Sequence, residues 1–240
     1  PLEQFEVVSL LGFNAPILGN LNITLTNLGL YSFIVLGTII GLHYLSSNGS
    51  SLVPSKWSIV FESLYASILS IVRNQIGSNH EAYLPFVYSL FFFVVISNLT
   101  GNITYNFTIT TSVITTLGLS FAIFFGFTIL SVSIHKFRFF STFLPEGTPL
   151  ALVPLLVIIE LVSYSSRAIS LGVRLFANMT AGHSLMAILS TFLLQMFSSG
   201  VLMFFVTLIP FSIFLAIMGL ELAVSVIQGY VLILLVCSYI

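Results

Sequence analysis

The stretch SRAISLGVRLFANMTAGH, residues 166–183, lies within an apolar run from 148 to 197. The only formally charged residues of this run are Glu160, Arg167 and Arg174. A charged side chain in hydrocarbon costs about 3 kcal/mol or more, so such residues usually line an ion path or face a counter-ion. The run therefore indicates a membrane protein and a site that handles charge.

The composition excludes a soluble globular domain. Apolar residues make up 58% of the chain and charged residues only 5%, whereas an average soluble domain has about 25% charged residues. Several long apolar runs are continuous, which favours membrane-spanning helices over the alternating segments of a barrel. The net charge of −1 argues against a nucleic-acid partner.

The pattern predicts an all-α integral membrane protein, with about three upright transmembrane helices, one amphipathic interfacial helix and two long, strongly tilted helices forming a hairpin. For the amphipathic segment, a short soluble helix is the alternative. We treat the chain as a single membrane domain. Its predicted parts are an interfacial N-terminal segment (1–26), three spans (27–45, 83–99 and 107–133), the amphipathic helix (54–76) and the two long helices (148–197 and 201–240).

The run 148–197 is too long for an upright span. As one helix it would measure roughly 75 Å, against a hydrocarbon core of about 30 Å. It either folds back without a turn signal or lies strongly tilted, and we favour the tilted helix. Thr148 is a plausible N-cap. In the following run, 201–240, Pro210 is expected to kink the helix.

Basic residues of the first half are expected on one side of the membrane, in the loops 46–82 and 134–147, which match the positive-inside pattern. These residues are Lys56, Arg73, Lys136 and Arg138. Glu3 and Glu6 are expected on the other side. Residues 1–20 contain no basic residue, so we expect neither a secretory signal nor an Arg-rich transit peptide there.

The three charges of the long run are spaced by seven residues, so they fall on nearly one helix face. Neighbours in this series are roughly 10 Å apart along the axis, which predicts that Glu160 and Arg167 are too far apart for close pairing on a straight helix. His183 is expected near the face opposite Arg174. On the last helix, Glu221, Ser225 and Gln228 share a stripe.

Arg174 cannot act as a proton relay, because a guanidinium does not release its proton in proteins. It can repel cations and attract a carboxylate, either Glu221 or an acid on another subunit. Carboxyl and imidazole groups do exchange protons, so Glu160, His183 and Glu221 can pass them. This combination suits a gate between two half-paths, although polar residues can also simply hold membrane helices together.

No cofactor or metal is expected. Cys237 is the only cysteine, which excludes a disulfide within the chain and a cysteine metal cluster. The four histidines, His43, His80, His135 and His183, are scattered and form no paired ligand pattern for haem. We also expect no residue that performs covalent catalysis.

Two long motifs carry a resemblance to a known family. The sequence TPLALVPLLVIIELVSYSSRAISLGVRLFANMTAGH, residues 148–183, closely resembles subunit a of the F-type ATP synthase. LAIMGLELAVSVIQGYVLILLVCSY, residues 215–239, resembles the final helix of the same family, and PLEQFEV at the start resembles fungal mitochondrial members. The similarity covers nearly the whole chain and is strongest over 144–240.

This resemblance implies a stator subunit of the proton-translocating F0 sector, with two offset half-channels beside a rotating ring of c subunits. It implies a multi-pass protein of the mitochondrial inner membrane, with other membrane and peripheral-stalk subunits as partners. Arg174 would be the essential arginine facing the ring carboxylate. The remaining proton-path positions would be His183 and Glu221 on the intermembrane-space side, Glu160 on the matrix side, Asn178 and Gln228 near the arginine, and Arg167 as a second basic position.

The stretch TGNITYNFTIT, residues 100–110, departs from the family by being rich in Thr and Asn and lacking an expected proline. It contributes to three N-x-T sequons, at Asn98, Asn102 and Asn106, which we interpret as accidental. The alternatives are a proton-coupled secondary transporter, a haem or quinone subunit, and a structural scaffold. A secondary transporter usually has repeated halves, which this sequence lacks.

Overall fold

The structure is a computed structural model that describes residues 3–15, 21–47, 53–103, 106–136, 152–198 and 200–239. Six α-helices dominate these ranges, and five of them are long and apolar enough to cross a membrane. The predicted all-α membrane class is confirmed. The helices are α1 (Asn27–Ser47), α2 (Lys56–Gln75), α3 (Leu84–Gly101), α4 (Val113–His135), α5 (Val153–Ser198) and α6 (Val201–Tyr239).

The shorter spans α1, α3 and α4 have lengths of 21, 18 and 23 residues, close to what a hydrocarbon core requires. The third span begins at Val113, later than the predicted 107, because a 3-10 turn at Ile109–Thr111 precedes it. The Thr115 hydroxyl donates to the Ile109 carbonyl at 2.7 Å. The hydroxyl of Ser112 caps α4. Such side-chain bonds to the backbone compete with helix continuation.

The amphipathic segment forms α2, whose N-cap is Ser55 with its hydroxyl accepting from the Ser58 amide at 3.3 Å. Ile68 and Val72 are buried in the core, while the bulky ring of Trp57 is exposed. A helix with one apolar packed face and an exposed Trp is typical of the membrane interface.

The two long segments are continuous helices of 46 and 39 residues. The run is therefore one continuous helix over residues 153–198, which excludes the fold-back alternative there. At 1.5 Å per residue α5 measures roughly 69 Å, so it fits a core of about 30 Å only when strongly tilted. Pro210 lies inside α6 without ending it. The proposed N-cap at Thr148, and also Arg138, fall outside the described residues.

The hairpin of α5 and α6 reverses at Gly200, whose φ of 138° is a backbone conformation that favours glycine. The rings of Phe197 and Phe204 pack across the reversal with centroids 5.3 Å apart. The two helices therefore run antiparallel, and this arrangement brings residues near the middle of each helix together.

Small residues set the close packing of the long helices against the upright ones. A side chain at Gly229 of α6 would collide with Val95 of α3. A Cβ at Gly172 of α5 would lie 2.6 Å from the Ser120 hydroxyl of α4. Small residues permit close approach of membrane helices, and here they place α5 against α4 and α6 against α3.

The N-terminal segment contains a two-stranded antiparallel sheet, β1 (Ser9–Ala15) with β2 (Leu21–Thr26), which the sequence analysis did not predict. Asn27 ties this segment to the start of α1. Its side chain accepts from the Val8 amide at 3.3 Å and donates to the Glu6 carbonyl at 3.0 Å. The preceding turn carries Phe5, whose ring lies 6.4 Å from that of His183.

Candidate functional site

A buried pair of titratable side chains lies between the long helices. His183 Nδ1 of α5 is 3.6 Å from Glu221 Oε1 of α6, and the two side chains are only 16% and 7% exposed. The other ring nitrogen, Nε2, lies 3.2 Å from the Thr108 hydroxyl. We call His183, Glu221 and Thr108 the buried cluster. The antiparallel hairpin brings two of the predicted site residues together here.

Gly182 makes this close approach possible. A Cβ built at that position would lie 2.8 Å from Glu221 Oε1 and 3.0 Å from its carboxyl carbon. Any larger residue would force the carboxyl group to move. The glycine next to His183 in the sequence therefore creates the space that Glu221 occupies.

Glu221 Oε1 is within ion-pair distance of His183 but has no hydrogen-bond partner among the described residues. A separation of 3.6 Å between these atoms is short enough for electrostatic attraction and too long for a hydrogen bond. A buried acceptor without a partner costs about 1–3 kcal/mol. A proton on the carboxyl group, or a water molecule beside it, would relieve this cost. Glu221 Oε1 is therefore suited to accept a proton or a hydrogen bond from water.

Asn98 of α3 and Asn102, the residue that follows this helix as its C-cap, extend the polar region along α6. Asn102 donates its side-chain amide to the Ser225 hydroxyl at 2.9 Å, and Asn98 donates to the Ser225 carbonyl at 3.5 Å. The Ser225 hydroxyl in turn donates to the Glu221 carbonyl at 2.9 Å. The side-chain oxygens of both asparagines are buried without a hydrogen-bond partner among the described residues.

The sequence reasoning missed Asn98, Asn102 and Thr108 as candidate site residues. The signal was present, because Asn98 and Asn102 are four residues apart and so share one face of a helix. Both were instead noticed as the first residues of N-x-T sequons. Asn98 is fully buried and Asn102 partly buried. Within the Thr- and Asn-rich stretch, Thr108 belongs to the buried cluster and Asn102 contacts Ser225, one turn along α6 from Glu221.

Asn178 and Gln228 form a second polar contact of the hairpin. The Asn178 side chain donates to Gln228 Oε1 at 3.2 Å. Gln228 is buried, whereas Asn178 is exposed. Asn178 lies one helical turn from Arg174 and about one turn from Gly182. This contact therefore lies between the buried cluster and the arginine.

Arg174 lies on an exposed face of α5, outside the packed face. The side chains of Leu171, Leu175 and Met179 are buried. The residues we call the open face of α5 are exposed, and they are Ser170, Val173, Arg174, Ala177 and Ala181. Throughout the described ranges, no residue forms an ion pair or hydrogen bond with the guanidinium. Glu221, one of its two predicted partners, contacts His183 instead.

The distance between Arg167 and Glu160 differs from the one that the sequence predicted. Spacing along the axis suggested that they are too far apart to pair, but Arg167 Nη2 lies 3.7 Å from Glu160 Oε1. The prediction was wrong because both side chains are long and extend toward each other along the helix. Each is a little under half exposed. Arg167 therefore pairs with an acid of its own helix, whereas Arg174 pairs with no acid among the described residues.

No group of three or more His, Cys, Asp or Glu side chains that could hold a metal ion occurs among the described residues. His43 lies apart from the buried cluster and contacts the Tyr88 hydroxyl at 3.1 Å and the Ile39 carbonyl at 2.8 Å. Its ring also packs against Phe61 and Phe92. These contacts give His43 a role in joining α1, α2 and α3.

Known proteins resemble this chain over nearly its whole length. The sequence profile of the family described as ATP synthase A chain matches residues 29–240. ATP synthase subunit a of Mycosarcoma maydis is 56% identical over 239 residues, covering 100% of this chain and 94% of that protein. Subunit a of Emericella nidulans is 46% identical with the same coverage, and that of Marchantia polymorpha is 44% identical, covering 100% and 95%.

Proposed function

The chain belongs to the ATP synthase A chain family, and from this premise we propose that Arg174 separates two offset proton half-channels beside a ring of c subunits. Family membership makes the chain a multi-pass component of the proton-translocating F0 sector. The chain itself contributes no covalent catalysis. The mitochondrial inner membrane is the proposed location, supported by the fungal relatives and by the likeness of PLEQFEV to fungal mitochondrial members.

The proposal is carried by the exposure of Arg174 without a partner. A permanent positive charge on an apolar helix face is costly in lipid unless an anion approaches it. The described residues provide no acid for Arg174, and we propose that the anion comes from another subunit. A carboxylate on each c subunit would pair with the guanidinium when ionised and leave it when protonated.

The path from the intermembrane space is proposed to lead through the buried cluster. His183 and Glu221 are buried, adjacent and able to change protonation state. The buried side-chain oxygens of Asn98 and Asn102, which have no hydrogen-bond partner in the described ranges, could hold water along this path. Asn178 and Gln228 are proposed to continue the polar lining toward Arg174, since their contact lies between the two.

The path toward the matrix is proposed to pass Glu160. Its partial exposure gives the carboxylate access to both Arg167 and the surroundings of α5. In this scheme Arg167 holds the ionised form of Glu160. Arg167 therefore acts on a neighbouring acid of the same chain, while Arg174 acts on the acids of another.

The proposed cycle separates protonation from deprotonation by rotation. A proton reaches a ring carboxylate through the first half-channel, and the neutral site then turns through lipid. At the second half-channel the proton leaves, because Arg174 favours the ionised carboxylate. The driving force is about 2.3 kcal/mol per charge for each 100 mV of membrane potential. Arg174 also blocks direct proton flow between the half-channels, since it repels cations and releases none of its own.

Other contacts are proposed for the remaining exposed apolar surfaces. The side chains of three residues of α1 are each more than half exposed: Phe33, Leu36 and Ile40. Such side chains face either lipid or other helices in a membrane. Other membrane subunits and the peripheral stalk are the proposed protein partners, with lipid covering the rest.

The test is Arg174→Ala in the assembled complex, with Arg73→Ala as a matched control on the interfacial helix. We expect proton-driven ATP synthesis in reconstituted vesicles to fall at least about 100-fold, equivalent to ~2.7 kcal/mol. The control should retain its rate, because Arg73 pairs with Glu81 at the surface. Normal synthesis by a fully assembled Arg174→Ala complex would disprove the stator role of this residue.

A further inference from the structure

We propose that the Thr108 hydroxyl is a positioning group, which holds the neutral imidazole of His183 in the tautomer that presents its N–H to Glu221. The inference rests on the proposed function, in which His183 and Glu221 carry protons. It assigns a role to the Thr- and Asn-rich segment between α3 and α4, which the resemblance to the family left without one.

The contacts on the two ring nitrogens are different in kind. Nε2 lies 3.2 Å from the Thr108 hydroxyl, and Nδ1 lies 3.6 Å from Glu221 Oε1. A neutral imidazole carries one N–H, while an ionised carboxylate only accepts and a hydroxyl can donate or accept. When Glu221 is ionised, the favourable arrangement places the N–H on Nδ1. The Thr108 hydroxyl then donates to Nε2.

The reverse tautomer is the one that this arrangement disfavours. It would direct the lone pair of Nδ1 at the carboxylate oxygen, which also carries negative charge. A donor that fixes one nitrogen of a histidine determines which form the other nitrogen presents. Thr108 therefore keeps the Nδ1–H of His183 directed at Glu221. When a proton reaches Nε2, the resulting imidazolium can pass its Nδ1 proton to the carboxylate and leave a neutral ring, with the Thr108 hydroxyl turning to accept from Nε2–H. This is a positioning role, because Thr108 itself does not contact the carboxyl group.

The structure holds Thr108 in place from two sides. The Thr111 hydroxyl donates to the Thr108 carbonyl at 2.6 Å, within the 3-10 turn. On the other side, a Cβ at Gly101 would lie 2.6 Å from the Thr108 hydroxyl oxygen. The end of α3 thus leaves just enough room for the Thr108 side chain, which is 4% exposed.

Among the described residues, few charged groups other than Glu221 lie near His183. Glu221 faces it from α6, and the N-terminal segment presents the apolar ring of Phe5, followed in sequence by Glu6. Residues 84–134, which include α3, the 3-10 turn and most of α4, contain no Asp, Glu, Lys, Arg or His. On α5 the nearest charged residue in sequence is Arg174. The pH response of the pair therefore depends mainly on Glu221 and on the hydroxyl of Thr108.

Thr110 provides a matched control in the same turn. It is 6% exposed, and its hydroxyl has no hydrogen-bond partner among the described residues. Replacing an unpartnered buried hydroxyl with a methyl group is close to neutral. Thr110→Val thus changes the same chemistry as Thr108→Val without removing a contact to His183.

The experiment measures proton-driven ATP synthesis by the assembled complex in vesicles, as a function of pH on the side from which protons enter. For Thr108→Val we expect a loss of about fivefold and a shift of the pH profile on the order of half a unit, as one lost hydrogen bond implies. Thr108→Ser should restore both, and Thr110→Val should match the original chain. Equal behaviour of Thr108→Val and Thr110→Val, or failure of Thr108→Ser to restore the profile, would overturn the proposal.

A double-variant comparison separates this proposal from the function on which it rests. In a His183→Ala background, Thr108→Val should cause no further loss, because its effect acts through the imidazole. If the two losses multiply, Thr108 does not act through His183. If His183→Ala alone has the original rate, the proposed access path fails instead.

Gly101→Ala gives a second route should Thr108→Val assemble poorly. The added methyl group would displace the Thr108 hydroxyl, so the same pH shift is expected. Gly126→Ala on α4 is its control, because a Cβ there has no neighbour within 4 Å. A Gly101→Ala complex with the original pH profile would count against the positioning role.

Discussion

The open face around Arg174 and the buried cluster around His183 lie on the same helix, nine residues apart, yet they are built in opposite ways. His183 contacts Glu221 and Thr108 within its own chain. Arg174 is exposed and has no ionic or hydrogen-bonded partner in the described ranges. The described residues provide the partners of His183, whereas they provide none for Arg174.

This difference separates two kinds of functional residue. Removing a charge from the buried cluster leaves a neighbour without its partner, so it should affect both stability and activity. Removing Arg174 leaves no described residue without a partner, so it should affect activity alone. Comparing assembly with ATP synthesis for each variant therefore tests the contrast directly.

The largest effect within the cluster is expected for Glu221→Gln. We expect ATP synthesis to fall about 10- to 100-fold, since the loss of a buried charged partner of His183 costs about 1.5–3 kcal/mol. The temperature at which the complex dissociates should also fall, unlike that of Arg174→Ala. Glu62→Gln, on the exposed side of α2, is the control. A normal rate for Glu221→Gln would break the contrast.

Gly182→Ala should have an intermediate effect. The added Cβ would force the Glu221 carboxyl group away from its position beside His183. Because the end of a side chain can move, we expect a loss of about three- to tenfold rather than failure to assemble. Gly219→Ala on α6, where a Cβ meets nothing within 4 Å, should be neutral. Indistinguishable rates for the two variants would mean that the close approach to Glu221 is unimportant.

The smallest effect is expected for Asn178→Ala, which lies between the two regions. It removes one hydrogen bond to Gln228, so ATP synthesis should fall about two- to fivefold with assembly intact. Thr191→Ala, exposed and farther along α5, is the comparison. A loss as large as that of Glu221→Gln would show that Asn178 belongs functionally to the cluster.

Patterns confined to one helix were predictable from the sequence. The length of the apolar run predicted the continuous α5, and the nine residues between Arg174 and His183 predicted that they lie on different faces. The same spacing failed for Arg167 and Glu160, because distance between backbone positions does not describe how far long side chains reach. The N-terminal sheet was missed even though residues 21–26, LNITLT, alternate between apolar and polar side chains, which is the pattern of a strand.

Contacts between helices were not predictable in this way. Thr108 lies 75 residues from His183, and Asn98 lies 127 residues from Ser225. Which face of α3 meets α6 depends on helix packing, including the collision that any side chain at Gly229 would make with Val95. A single sequence records the polar residues but not their neighbours.

The bonds from Asn98 and Asn102 to Ser225 also have a consequence for biogenesis. They join the second span to the last helix, with sequence separations of 127 residues for Asn98 and 123 for Asn102. Because a chain is synthesised from its N-terminus, α3 enters the membrane before α6. Until α6 is inserted, the side-chain amides of Asn98 and Asn102 lack Ser225 as a partner. A ribosome that stops before Ser225 would thus leave a membrane-embedded chain that exposes polar groups to lipid, a recognisable mark for quality control.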